Sequence, residues 1–330
     1  MPYDIPDLAA RLLAGDRRAL ARAITLIESV RSDHRAQAAA LLDAVRAPGR
    51  QALRIGLSGT PGVGKSTFIE SFGMMLAAPE NGVGLKIAVL AVDPSSTRSG
   101  GSILGDKTRM ERLARLPQVF IRPSPSQTHL GGVARRTREA VALCEAAGND
   151  VVLIETVGVG QSETMVAAMA DIFVLLLAPA GGDELQGVKR GIMEIADLVL
   201  VNKADGDLKA AATRTCADYG GALRLLRKRP QDPPEFPTAM LVSALTGSGL
   251  AQAWETIQTL AAWRKSHGFW QQNRTQQARR WFEEEVHQGL LARFLNDAQI
   301  RDLMQALERQ VAEGIMTPTA AAVQVLKKLP

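Results

Sequence analysis

Cysteine, histidine and aromatic side chains are all scarce here, with two Cys, four His and 4% Phe, Trp and Tyr among 330 residues. Cys144 and Cys216 lie far apart, with no C-x-x-C spacing and no flanking histidine, which excludes a disulfide framework and a thiolate metal cluster. Both thiols are expected to be reduced and structural. His34, His129, His267 and His287 are nowhere paired at ligand spacing, so the sequence offers no transition-metal centre. The few aromatics form no ladder with basic residues, and nucleic-acid binding is not expected. The net charge of +5 and pI near 9.4 would suit anionic ligands, but a solvated basic surface is the favoured reading. No uninterrupted apolar run approaches a membrane span, and no basic segment leads into an apolar core with a small-residue cleavage site. The expectation is a soluble, cytoplasmic protein with no membrane partner. What is left is globular composition, 46% hydrophobic and 22% charged, enough for one sizeable core with appendages.

Within that composition, Gly59-Thr60-Pro61-Gly62-Val63-Gly64-Lys65-Ser66 follows the apolar run Leu53 to Leu57 and opens a helix-like stretch from Thr67 to Ala78. Strand, loop and helix in that order fit G-x-x-x-x-G-K-[ST]. The glycines let backbone N–H groups turn inward around a polyphosphate. Lys65 reaches the outer phosphates as a point charge, and Ser66 offers its hydroxyl to Mg²⁺. The chain is therefore expected to bind a nucleoside triphosphate. Two further apolar strands end in motifs, Val151 to Ile154 in Glu155-Thr156-Val157-Gly158 and Leu198 to Val201 in Asn202-Lys203-Ala204-Asp205. An Asp205 carboxylate can accept from guanine N1–H and its exocyclic amine, a pair that adenine lacks, so GTP is favoured over ATP. Asn202 is expected to tie this loop to the phosphate loop, and the Lys203 stem to cover one face of the base. Ser243-Ala244-Leu245, after the strand Thr238 to Val242, can give backbone N–H to guanine O6 or can be an ordinary helix cap.

From Asp7 to about Val45 the chain is rich in Ala, Leu and Arg, and Leu20, Ala23, Ile24, Ile27 and Val30 fall at helical spacing. Ala47-Pro48-Gly49 breaks that stretch. Short apolar runs then alternate with helical segments, predicting strands at Leu53 to Ser58, Lys86 to Val92, Val119 to Arg122, Val151 to Glu155, Ile172 to Leu177, Leu198 to Asn202 and Thr238 to Val242. The motifs sit at the C-terminal ends of these runs, where such sheets place ligands. After Gly249, helices are predicted over Leu250 to His267, Gln271 to Asn296, Asp297 to Glu313 and Pro318 to Lys328. The fold expected is α/β, a P-loop NTPase G domain with a mainly parallel central sheet over 51–255, a helical extension over 1–50 and a helical arm over 256–330. All four tryptophans, Trp254, Trp263, Trp270 and Trp281, fall after Gly249. Trp281, Phe282, Val286, Leu290, Phe294 and Leu295 form a stripe that packs within one subunit or across a homodimer.

Glu155-Thr156-Val157-Gly158 stands where many GTPases have Asp-x-x-Gly. Glu155 can hold Mg²⁺ through a water, and Gly158 N–H can contact the γ-phosphate. The next residue is Val159, where small signalling GTPases use glutamine to orient water, and Gln161 is displaced by two positions. Slow intrinsic hydrolysis is expected. Asp93, at a strand end, can reach the Mg²⁺ shell or make an Asp-Pro turn. Asp106 can hold metal-bound or attacking water or serve as an N-cap. The loop Ala178 to Arg190 carries Asp183, Glu184, Gln186 and Lys189 among glycines. It reads either as a solvated connection or as a reporter of nucleotide state to a partner.

Taken together, Gly59 to Ser66, Val92 to Thr97, Glu155 to Glu163, Ala178 to Arg190 and Asn202 to Asp205 closely resemble the MeaB/ArgK family of P-loop GTPases across nearly the whole chain. The resemblance implies a homodimeric G-protein chaperone of adenosylcobalamin-dependent methylmalonyl-CoA mutase. Such a protein gates cofactor loading, protects the mutase and hydrolyses GTP to GDP slowly until the mutase stimulates it. It further implies that Lys65 and Ser66 hold phosphate and Mg²⁺, that Asp93, Asp106 and Glu155 organise metal and water, and that Lys189 relays partner contact. The C-terminal helices would dimerise, and cobalamin would belong to the mutase, not to this chain. Three alternatives stay open: a metallochaperone GTPase for another metalloenzyme, a protein kinase of a basic amino-acid transport system, and a non-hydrolysing GTP-binding scaffold.

Overall fold

In the computed structural model the described residues are 3–29, 31–46, 49–78, 84–92, 110–123, 130–156, 162–179 and 190–328. They form two compact units, Met1–Arg274 and Thr275–Pro330. The first is organised by a seven-stranded sheet: β1 Leu53–Gly59, β2 Ile87–Val92, β3 Val119–Arg122, β4 Val151–Thr156, β5 Ile172–Leu177, β6 Leu198–Val201 and β7 Thr238–Leu241. The order is β3-β2-β4-β1-β5-β6-β7, and every pairing is parallel. All seven strands predicted from the apolar runs are present, with ends within one residue. The runs are continuous because both faces of an all-parallel sheet are covered, and β4 and β5 are buried along their whole length.

Around the sheet lie α1 Ile5–Leu13, α2 Arg17–Glu28, α3 Ser32–Ala44, α4 Lys65–Ala77, α5 Glu111–Ala114, α6 Leu130–Ala146, α7 Ser162–Ala167, α8 Arg190–Ile195, α9 Lys209–Arg224 and α10 Leu250–Ser266. The N-terminal stretch is three helices: Gly15 takes φ +82° and Asp16 then caps α2, accepting from Arg18 N–H at 2.7 Å and Ala19 N–H at 3.2 Å, while extended backbone at Ser29 and Arg31 separates α2 from α3. Leu20, Ala23, Ile24 and Ile27 are the buried face of α2, which packs on α6. On α4, Phe68, Ile69, Phe72 and Leu76 bury into the cluster formed by Ile55, Leu57, Leu153 and Val174. Leu250, Trp254, Ile257, Leu260 and Trp270 join the same cluster, so α10 and the start of α11 (Phe269–Asn296) belong to the first unit.

The N-terminal strand ends are closed by buried ion pairs. Asp171 accepts from Arg54 N–H at 2.9 Å and Asp197 from Phe173 N–H at 2.8 Å. Arg274 then holds Asp171 at 2.6 Å and Glu145 at 3.1 Å, while Arg264 holds Asp197 and Asp232 at 2.6 Å each. Burial alone would pull the Arg264 pKa down, but Asp197 and Asp232 outweigh it and raise the value.

The second unit contains the rest of α11, α12 Ala298–Ala312 and α13 Pro318–Leu326. Its small core is Ile300, Leu307, Ala321 and Val325, lined by Phe294, Leu303, Val311 and Met316. Asp297 caps α12 and Thr317 caps α13, which begins with Pro318. Along α11, Phe282 and Leu290 remain 69% and 61% exposed, and Val286 lies between them on the same face. Among the described residues no helix is long and apolar enough to cross a membrane.

Candidate functional site

The C-terminal end of β1 is central, flanked by β4 and β5, and there the chain turns into the phosphate loop. Gly59 has no room for a side chain, since an added Cβ would lie 2.4 Å from the Leu176 carbonyl oxygen. Gly64 takes φ +89°, and its Cβ would press on Asn202 Nδ2 at 3.0 Å. Pro61 and Gly62 are exposed, Val63 is buried, and Thr67 faces outward from the first turn of α4. Lys65 Nζ donates to Gly59 O at 2.7 Å and to Thr60 O at 3.4 Å, so the ammonium is folded back over the loop. Burial lowers its pKa below the ordinary lysine value, against the opposing pull of Glu155 and Glu163. Ser66 is half-buried on the same turn.

The second loop is joined to the first by side chains. Asn202 is 1% exposed. Its Nδ2 donates to Val63 O at 3.0 Å and its Oδ1 accepts from Ala244 N–H at 3.0 Å. Lys203 takes φ +58°, a left-handed conformation that a non-glycine residue holds only when its surroundings enforce it, and its Nζ donates to Gly62 O at 2.7 Å. Ser243 donates its hydroxyl to Asp205 and accepts from Thr246 N–H at 3.1 Å. Ala244 N–H is thus taken up by Asn202, while Leu245, 80% exposed, has a backbone N–H with no partner among the described residues. Of the three residues read as donors to O6, Leu245 is the one whose amide is open.

The acids divide into two groups. Glu155, 4% exposed, pairs in register with Leu57 of β1 and Ala91 of β2, next to the phosphate loop. Thr156 Oγ1 donates to Ser58 Oγ at 3.1 Å beside it. Asp93, Asp106, Gly158, Asp183, Glu184, Gln186 and Lys189 lie outside the described residues. One group was not singled out from sequence: Glu163, 3% exposed at the start of α7, is close enough to pull against the larger lowering of the Lys65 pKa by burial. In sequence it reads as an ordinary first-turn acid.

A serine hydroxyl and a buried carboxylate are hard oxygen donors that fit Mg²⁺, which uses few protein ligands and completes its shell with phosphate and water. Among the described residues no group of three or more His, Cys, Asp and Glu could hold a metal ion, and a Mg²⁺ site of that kind needs none.

A wholly parallel sheet with a phosphate loop at its centre, bridged by Asn202 to the loop after β6, defines a P-loop GTPase. The family model described as methylmalonyl Co-A mutase-associated GTPase MeaB matches residues 20–299, and the chain belongs to that family. A relative from Caulobacter vibrioides, named as a GTPase, is 51% identical over 323 residues, covering 98% of this chain and 97% of its own length. The mouse mitochondrial methylmalonic aciduria type A homolog is 47% identical over 333 residues, covering 98% of this chain and 79% of its own. A crystal structure of an LAO/AO transport system kinase superposes with a TM-score of 0.75 at 37% identity, covering 99% of this chain and 98% of that one.

Proposed function

We propose that this GTPase is a cytoplasmic chaperone of an adenosylcobalamin-dependent methylmalonyl-CoA mutase, gating cofactor loading and protecting the mutase from inactivation. The observation that carries the reading is the match of the mutase-associated GTPase family over residues 20–299, supported by the methylmalonic aciduria relative. In this reading Lys65 leaves the Gly59 and Thr60 carbonyls to meet the outer phosphates, an exchange its present bonds make short. Asp205 accepts from guanine N1–H and the amine, and the Lys203 stem covers one face of the base. Mg²⁺, held by Ser66 and through water by Glu155, with Asp93 and Asp106 as further ligands, would neutralise phosphate charge. No glutamine follows Gly158, so unassisted turnover is slow and a partner supplies the missing orientation through the segment carrying Asp183, Glu184, Gln186 and Lys189.

The test is steady-state phosphate release from GTP, with ATP as control, alone and with a stoichiometric mutase. The expected result is a slow GTP-specific rate that rises at least about tenfold with the mutase, a barrier change of roughly 1.4 kcal/mol. An unchanged rate would remove the mutase from the proposal. The kinase name of the 37% identical structure supplies the second reading. Labelled phosphate retained on a purified protein acceptor, instead of released, would favour it, and GTP-dependent activation of a different metalloenzyme would favour a metallochaperone.

We also propose that the second unit is a homodimer arm. Phe282, Val286 and Leu290 recur at every fourth position of α11 and are exposed, an arrangement that normally packs against something. Leu290→Glu is expected to leave the thermal midpoint of the first unit unchanged and to shift the mass measured by light scattering from dimer to monomer. A monomeric wild type at micromolar concentration would end this part of the proposal.

A further inference from the structure

We infer that Ser71, on α4, is a positioning residue for guanine recognition, acting through the Ala244–Leu245 peptide group. Its hydroxyl donates to Ala244 O at 2.6 Å. On the other side of the same residue, Ala244 N–H is held by Asn202 Oδ1 at 3.0 Å. Both peptide groups flanking Ala244 are therefore fixed, one from the helix that follows the phosphate loop and one from the loop after β6. The Ala244–Leu245 bond is trans, as it is not among the cis bonds of the described residues. A trans peptide is planar with its C=O and N–H directed oppositely. Pulling the carbonyl toward α4 thus turns Leu245 N–H away from it, and that N–H is the donor without a partner among the described residues.

The neighbouring acceptor is Asp205, whose carboxylate is held by the Ser243 hydroxyl. A backbone donor and a carboxylate acceptor, linked through the Ser243 hydroxyl, would together complement an edge that presents a carbonyl oxygen next to an N–H, as guanine does at O6 and N1. Adenine puts an amine where O6 would be, setting donor against donor. The Ser71 hydroxyl is spent on Ala244 O, so in this reading it acts through that peptide. It fixes the direction of the amide that reads O6, which couples base recognition to the same helix that carries Lys65 and Ser66. Local sequence gives no sign of this, because Ser71 and Ala244 are 173 residues apart.

The inference rests on the guanine assignment above, and one experiment separates the two. Binding of GDP, ADP and the diphosphate of 2-aminopurine riboside, which lacks O6 and with it N1–H, is measured calorimetrically on the full chain as wild type, Ser71→Ala and Ser71→Thr. Loss of one hydrogen bond's orientation is expected to weaken GDP by about three- to tenfold in Ser71→Ala, and the analogue without O6 by less than about twofold. Ser71→Thr, which keeps the hydroxyl, is expected to restore GDP binding, and the thermal midpoint of all three proteins is expected to agree. Equal losses for GDP and the analogue would make Ser71 a support of the phosphate helix only, and unchanged GDP binding would overturn the inference outright. A wild type that binds ADP as tightly as GDP would instead sink the guanine assignment itself, and this inference with it.

Discussion

A Lys65→Ala protein is expected to lose GTP turnover by about 100-fold or more, because one preorganised charge aimed at a developing phosphate charge contributes on that order. The structure makes the expectation specific. Lys65 Nζ lies on the carbonyls of Gly59 and Thr60, within the loop that would receive the phosphates, and is half-buried. Burial lowers its pKa, which shows a charge kept where solvent no longer stabilises it fully. A bound polyphosphate would supply an anionic partner in place of these carbonyls, so removing the ammonium should raise the GDP dissociation constant along with lowering turnover. Phosphate release and calorimetric GDP binding, with circular dichroism to verify the fold, are the measurements. Turnover within about threefold of wild type would mean that the loop does not use this lysine on the outer phosphates.

The largest effect on stability is expected at Arg264. Its guanidinium donates to Asp197 at 2.6 Å, to Asp232 at 2.6 Å and to the Asp171 carbonyl at 2.6 Å, and the residue is 8% exposed. Arg264→Ala leaves two buried carboxylates without this partner, which typically costs about 3–5 kcal/mol. For a unit of this size that corresponds to a midpoint lowered by roughly 10 °C. Asp197 also accepts from the Phe173 amide, so the damage should reach the start of β5. Thermal and urea unfolding of the two proteins decide it. A midpoint unchanged within about 1 °C would show that Arg229, which also pairs with Asp197 at 2.8 Å and Asp232 at 2.6 Å, suffices alone.

These two sites differ in how far the chain alone exposes them. The phosphate loop is legible because its chemistry is local: closely spaced glycines, a lysine and a serine must follow one another for the backbone to wrap a phosphate. The strands are legible for a related reason, since a sheet covered on both faces needs unbroken runs such as Val151 to Ile154 and Ile172 to Leu177. The three N-terminal helices carried their punctuation at Gly15-Asp16, yet helical spacing alone read as one extension.

Nothing local announces that Arg264 meets Asp197, that Arg274 joins Asp171 to Glu145, or that Ser71 holds the Ala244 carbonyl. Each polar group reads in sequence as a solvated face or a turn. The arrangement of the sites followed the same division. The spacing of Asn202 and Asp205 predicts a base loop, but it gives no sign of how the hydrogen bonds of that loop are distributed. Only the packed loops show Asn202 occupying Ala244 N–H and leaving Leu245 N–H open.

The sequence by itself determined the strands and the phosphate loop, because periodicity and motif spacing act between near neighbours along the chain, and the family was legible only as a resemblance of its motifs. Tertiary structure alone decided the strand order β3-β2-β4-β1-β5-β6-β7, the ion pairs that close the N-terminal strand ends and the contact from α4 to the base loop. Those features join residues far apart in sequence, and they exist only once burial has removed the water that would otherwise satisfy each charge and each amide separately.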